Sequence, residues 1–148
     1  MIIVEDGTGV AGANSYVTES ELTDYATLRG ITLTGTPESL LHRSMDYVEL
    51  QSFTGTKTNA DQALQWPRAG VYIDGVLQAS DSIPDLVKEL EIRVAIDIDQ
   101  GQDPNAASTQ AVKQETVVGA VSVTYQDNSS ASTTSRQTQN ILSKLTGG

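Results

Sequence analysis

Gly7-Thr8-Gly9-Val10-Ala11-Gly12 follows the strand-like Ile2-Ile3-Val4 and matches G-x-G-x-x-G, the spacing with which a turn cradles a pyrophosphate. That chemistry needs a helix opening at the turn, so that free N–H groups and the helix dipole meet the phosphates. The first helix signal comes six residues after Gly12, at Thr18, and no long βαβ unit follows. The glycines therefore read as an N-terminal loop. Asp97-Ile98-Asp99-Gln100-Gly101-Gln102-Asp103 invites a calcium reading. Counted from Asp97, however, Gly101, Gln102 and Ser108 stand where an EF-hand loop needs an oxygen ligand, a glycine and a glutamate.

His42 is the single histidine and cysteine is absent, which excludes His clusters, thiolate zinc sites, disulfides and cysteine nucleophiles. No G-x-S-x-G elbow presents a serine, and Glu89 and Glu91 fall on different helical faces. The expectation is a protein that is not an enzyme, with no catalytic, cofactor-binding or metal-binding residue. Single-stranded nucleic acid calls for a basic groove interleaved with aromatics. The seven aromatics are spread as Tyr16, Tyr25, Tyr47, Phe53, Trp66, Tyr72 and Tyr125, and only Arg68 lies close in sequence to one of them, Trp66. They read as core.

The elements that must position these residues are legible from caps and periodicity. Thr18-Glu19-Ser20-Glu21 is a capping box, after which Leu22, Tyr25, Ala26 and Arg29 share a face and Gly30 ends the helix. Thr36-Pro37 opens a second helix with a Leu40, Leu41, Met45, Tyr47 and Val48 stripe, running to about Gln51. Residues 59–70 predict one or two helical turns stopped by Pro67, with Trp66 as a core anchor; Trp66, Pro67 and Arg68 form a structural motif. Val71 to Leu77 reads as a short Asp-Gly hairpin. The strongest helix starts near Asp81 or Ser82, has Pro84 in its first turn, and carries Ile83, Val87, Leu90 and Val94 on one stripe. Leu86, Ile92, Ile96 and Ile98 widen its apolar surface, so Val87, Leu90 and Val94 mark either a central core helix or a subunit interface. Val112 to Tyr125 predicts two strands around Gly119, and Ile141, Leu142 and Leu145 form a short apolar patch near the C-terminus.

Charge divides the chain in the same places. Of 148 residues, 9 are Lys or Arg and 19 Asp or Glu, a net charge of −10. Residues 1–103 hold 17 acidic and 6 basic residues, whereas residues 104–148 hold two acidic and three basic ones. The organisation expected is an acidic helical body over 1–103, a β-hairpin over 104–125, and a flexible polar arm with a short C-terminal helix over 126–148. The fold class is mainly α, a small helical bundle with a β-hairpin and an extended C-terminal arm. Hydrophobic residues make up 38% and aromatics 5%, thin for a core of this length. No apolar run approaches the roughly 20 residues of a membrane span, and no basic segment followed by an apolar one opens the chain. The acidity argues against tight binding to duplex DNA or an anionic membrane.

The order of the unusual segments carries a resemblance. Glu5-Asp6-Gly7-Thr8-Gly9, Ala13-Asn14-Ser15-Tyr16-Val17-Thr18 and a helix ending Arg29-Gly30 come first. Arg43-Ser44-Met45-Asp46-Tyr47, Phe53-Thr54-Gly55, the run Gln62-Ala63-Leu64-Gln65-Trp66-Pro67-Arg68-Ala69-Gly70, and Ile83-Pro84 before Val87-Lys88 follow. This succession resembles the head–tail connector (adaptor, or neck) proteins of tailed bacteriophages, many of which carry an automatic label as DnaT-like single-stranded DNA-binding. The resemblance implies a structural virion protein at the head–tail junction, assembled in the host cytoplasm. It implies a homo-oligomeric, dodecameric ring beneath the portal protein, contacting a downstream neck or tail protein and lining a channel through which duplex DNA passes. Ile141, Leu142 and Leu145 would then be a portal-docking arm. The alternative is a single-stranded DNA-binding replication protein. A salt-sensitive shift of an oligonucleotide separates the two.

Overall fold

The computed structural model describes residues 1–106 and 134–147. Its helices are α1 (Glu19–Leu28), α2 (Pro37–Val48), α3 (Asp85–Asp99) and α4 (Arg136–Thr146), with a 3₁₀ turn at Pro104–Ala106. Two antiparallel strand pairs complete it: β1 (Thr56–Lys57) with β2 (Arg68–Ala69), and β3 (Tyr72–Ile73) with β4 (Val76–Leu77). The fold is mainly α, with small hairpins. Among the described residues no helix is long and apolar enough to cross a membrane. The expected strands of 112–125 and the polar linker lie outside the described residues.

The first two helices begin for the reasons their sequences predict. Thr18 Oγ1 accepts from the N–H of Glu21 at 3.0 Å, and the Glu21 carboxylate accepts from the N–H of Thr18 at 2.7 Å, closing the capping box. Thr36 caps α2 ahead of Pro37 at its first position. β3 and β4 meet at Asp74-Gly75, both with positive φ, as a tight Asp-Gly turn requires.

α3 is the axis of the fold, with α1, α2 and α4 packed against it. Val87, Leu90 and Val94 are wholly buried, as are Ala95 and Glu91. Of the two roles left open for this helix, the structure takes the central core. Its apolar stripes are covered by the chain's own helices, and the thin hydrophobic content is concentrated around this one element.

Residues 59–66 form turns and irregular backbone, not the helical turns expected. The Gln62 side chain accepts from the N–H of Asn59 at 3.0 Å and donates to the carbonyls of Leu64 and Pro67 at 2.8 and 2.9 Å. One amide thus satisfies locally what helical i→i−4 bonds would otherwise have to. Trp66 is fully buried with its ring edge-on to Phe53, centroids 5.4 Å apart, and the Trp66–Pro67 peptide is cis. The anchoring role read for Trp66 stands.

The C-terminal patch is an 11-residue helix that belongs to the core. Ser135 caps α4 at its start, and Gly147 follows in the left-handed region. Ile141 and Leu145 are buried, and Leu142 packs half-buried beside them. Asp97 of α3, itself buried, accepts from the N–H of Ser135 at 3.0 Å and from the Thr138 hydroxyl at 2.8 Å, placing a carboxylate at the positive end of α4. Leu145→Ala should therefore cost roughly 3 kcal/mol in urea unfolding. A cost below about 0.5 kcal/mol, the range of exposed positions, would return α4 to the status of a dispensable arm.

Candidate nucleic-acid interface

The glycine loop already holds an anion of the chain's own. The Glu5 carboxylate, wholly buried, accepts from the N–H groups of Gly7, Gly9 and Val10, each at 2.8 Å. Successive N–H groups converging on one oxygen pair form an anion-binding nest. Here it is filled by Glu5, and no helix starts at the loop, so a pyrophosphate has no place in it. Gly7 shows why glycine stands there: its φ is +106°, and a Cβ would lie 2.3 Å from the Asp81 carbonyl oxygen.

The acidic run at the end of α3 is likewise committed, each carboxylate to a different neighbour. Asp97 caps α4, Asp99 accepts from Thr34 and Gly35, and Asp103 pairs with Arg43 at 2.8 Å. His42 stands half-exposed on α2, 3.8 Å from Glu38. Glu89 and Glu91 point to different partners, as their spacing predicts: Glu89 to Tyr25, Glu91 to Ser15 and Tyr16.

Arg68, the one cation read as close to an aromatic, is turned inward. It is buried, and its guanidinium donates to the carbonyl oxygens of Phe53, Thr54, Gly55 and Gln65. Tyr16, Phe53 and Trp66 are buried too, so the core reading holds for them. Tyr125 lies outside the described residues.

Among the described residues, the aromatic and the cations that converge are Tyr25, the exposed Arg29 and the largely buried Arg93. The α1 spacing of Tyr25 and Arg29 puts them one turn apart on one face, and the Arg29 guanidinium carbon sits 3.6 Å from the Tyr25 ring centroid. Arg93, reaching over from α3, lies 5.1 Å from the same centroid. Glu89 ties the set together: it accepts from the Tyr25 hydroxyl at 2.9 Å and stands 3.7 Å from Arg93 Nε. Burial, then the bond to Glu89, holds the Tyr25 hydroxyl above its ordinary range, so the ring is neutral. Arg29 is exposed at the C-terminal end of α1, beside Leu28, which is 83% exposed. Among the described residues no carboxylate lies within ion-pair distance of Arg29. Among the described residues its guanidinium donates only to the Tyr25 carbonyl, at 3.3 Å, which leaves its other donors for solvent or a ligand.

A guanidinium lying over an aromatic ring, with open donors, can take a phosphate or stack under a base. The sequence reading had placed Tyr25 and Arg29 on one helical face but looked for cations beside aromatics along the chain. The i,i+4 spacing was the available signal. Arg93 carried none, because it reaches Tyr25 from a distant helix, as its neighbour Glu89 does across 64 residues.

The family model described as "Putative DnaT-like ssDNA binding protein" matches residues 1–148. The chain belongs to that family. This overturns the connector resemblance, and with it the dodecameric ring, the portal and tail partners and the passage of duplex DNA. The geometry agrees with the correction. Ile141 and Leu145, taken as a portal-docking patch, are buried against α3, and the apolar stripes of α3 are covered within one chain. The blocks that carried the resemblance all lie within the residues the DnaT-like family model matches. No curated protein matches the chain, and no solved structure does.

Proposed function

We propose that this protein binds single-stranded DNA without acting on it as an enzyme, through the face of α1 and α3 that presents Arg29, Tyr25 and Arg93. Membership of the DnaT-like family over the whole chain is the observation that carries the reading. Arg29 supports it locally, as a cation on an aromatic with donors to spare. The chain's charge sets the style of binding. At −10, most of its surface repels phosphate, so contact is confined to a small patch and depends on stacking.

Two cations on the patch neutralise at most about two phosphates, and each released counterion contributes about 0.7 to the salt slope on single strands. The logarithm of affinity should then fall against the logarithm of salt with a slope between about −0.7 and −1.4. Arg29→Ala should weaken binding of a labelled oligonucleotide about tenfold in fluorescence anisotropy and flatten that slope by about 0.7. Unchanged affinity in the Arg29 variant would move the interface elsewhere. Absence of binding by the parent protein at low salt would overturn the function itself.

A further inference from the structure

Glu91 has no part in the Tyr25–Arg29 face, yet it is the most deeply buried carboxyl of α3. It is wholly inaccessible, and no cation lies within ion-pair distance of it among the described residues. The charged and titratable groups that face it are Glu49 at the end of α2, Glu21 on α1 and the Tyr16 hydroxyl, none of which is positive. α2 adds a neutral contact, the Ser44 hydroxyl donating to the Glu91 backbone carbonyl at 2.7 Å.

The hydrogen bonds around Ser15 compete for one hydrogen. Ser15 Oγ lies 2.8 Å from the Val17 carbonyl oxygen and 2.6 Å from Glu91 Oε2, and it accepts from the N–H of Val17 at 3.2 Å. Ser15 Oγ faces two acceptors with one hydrogen, so while Glu91 is ionised only one of the two contacts can be a full hydrogen bond. A proton on Glu91 lets both be made, the carboxyl donating to Ser15 Oγ and Ser15 donating to the Val17 carbonyl. With that proton in place, both lone pairs of Ser15 Oγ are used, and the other Glu91 oxygen accepts from the N–H of Tyr16 at 2.8 Å. All the polar groups of the buried cluster are satisfied at once.

We propose that Glu91 is a proton-operated latch: its neutral carboxyl fastens residues 15–17, and through them the start of α1, onto α3, and loss of the proton unfastens them. Burial is the main cause that pushes this carboxyl up to about 8, with the bonds from Ser15 and Tyr16 pulling the other way. Once ionised, Glu91 claims the Ser15 hydrogen, leaves the Val17 carbonyl without it, and puts a negative charge in a dry site facing Glu49. Val17 precedes the Thr18 cap of α1, so the latch acts on the helix that carries Tyr25 and Arg29. The latch does not depend on what that helix binds.

The sign of the effect follows from linkage. Folded Glu91 binds its proton more tightly than unfolded Glu91, so stability falls as pH rises from the ordinary carboxyl range to about 8 and levels off beyond it. The melting midpoint of the parent protein should drop by roughly 10 °C between pH 5.5 and pH 8. Glu91→Gln, whose amide can donate to Ser15 and accept from Tyr16, should remove most of that drop. An equal drop in the Gln variant would overturn the latch. If the variant does not fold, the carboxyl carbon of Glu91 in the parent protein decides by NMR titration. A midpoint near 8 supports the latch, and one below about 6 overturns it.

Discussion

Arg68→Ala is expected to lower the unfolding free energy by about 4 kcal/mol, a large part of the stability of a domain this size. The guanidinium sits in a cage of carbonyl oxygens, with Nε 2.8 Å from Thr54 O, Nη2 2.9 Å from Gly55 O and Nη1 3.3 Å from Gln65 O. Nη1 also reaches Gln65 Oε1 at 3.2 Å, and Nη2 lies 3.4 Å from Phe53 O. Alanine would remove the donors and leave those buried carbonyls without partners, the costlier half of a broken hydrogen bond. The approach of the two segments is tight: a Cβ on Gly55 would lie 2.4 Å from the Ala69 carbonyl oxygen. Arg68→Lys should recover only part of the loss, since an ammonium cannot reproduce a fork of five donors. Urea unfolding followed by the fluorescence of Trp66, the single tryptophan, reads the effect. A loss below about 1 kcal/mol would show that water replaces the cage without penalty.

Glu5→Ala is expected to cost nearly as much, about 3–4 kcal/mol. Three N–H groups converge on this buried carboxylate, and without it they have no acceptor of the chain's own. Glu5 also joins the N-terminal segment to the rest by donating its backbone N–H to Ser15 O at 2.9 Å, so loosening of the nest would spread toward α1. Glu5→Gln keeps the shape and one amide oxygen but turns an NH₂ toward donors, and should fall between the parent and the alanine variant. Hydrogen exchange at Gly7, Gly9 and Val10 localises the effect. If these amides exchange in Glu5→Ala as slowly as in the parent protein, the carboxylate is not what holds them.

How much of this was legible beforehand depends on the range of the interactions involved. The capping box at Thr18, the Pro37 start of α2, the apolar stripes of α3 and the Asp74-Gly75 turn are each decided within a few residues, and each is where periodicity and cap chemistry place it. The glycine motif does not read as a nucleotide loop. The reason available beforehand was the missing helix; the stronger one, Glu5 in the nest, needed the loop's curvature. Residues 59–66 went the other way, because a helix-like pattern lost to one glutamine side chain that pairs across the turn.

The family tells a similar story at a larger scale. The blocks from Glu5 to Lys88 resemble the connectors, but the chain belongs to the DnaT-like family, whose model matches it from end to end. A run of shared segments identifies kinship and leaves the role to be decided by the surface. Here the surface cluster is Tyr25 with Arg29 and Arg93, and only its first two members share a helix.

By itself the sequence determined that α1, α2 and α3 are helices, where α1 and α2 are capped, that the chain is strongly acidic, and that histidine clusters and cysteine chemistry are excluded. Those properties depend on composition or on neighbours within one or two turns. The tertiary structure alone decided that α4 is core, that Arg68 faces carbonyls, that Arg93 joins Tyr25, and that Glu91 meets Ser15 without a counter-charge. Each of these rests on contacts between distant segments. Burial then converts an ordinary arginine or glutamate into a group whose donors, or whose proton, the fold cannot do without.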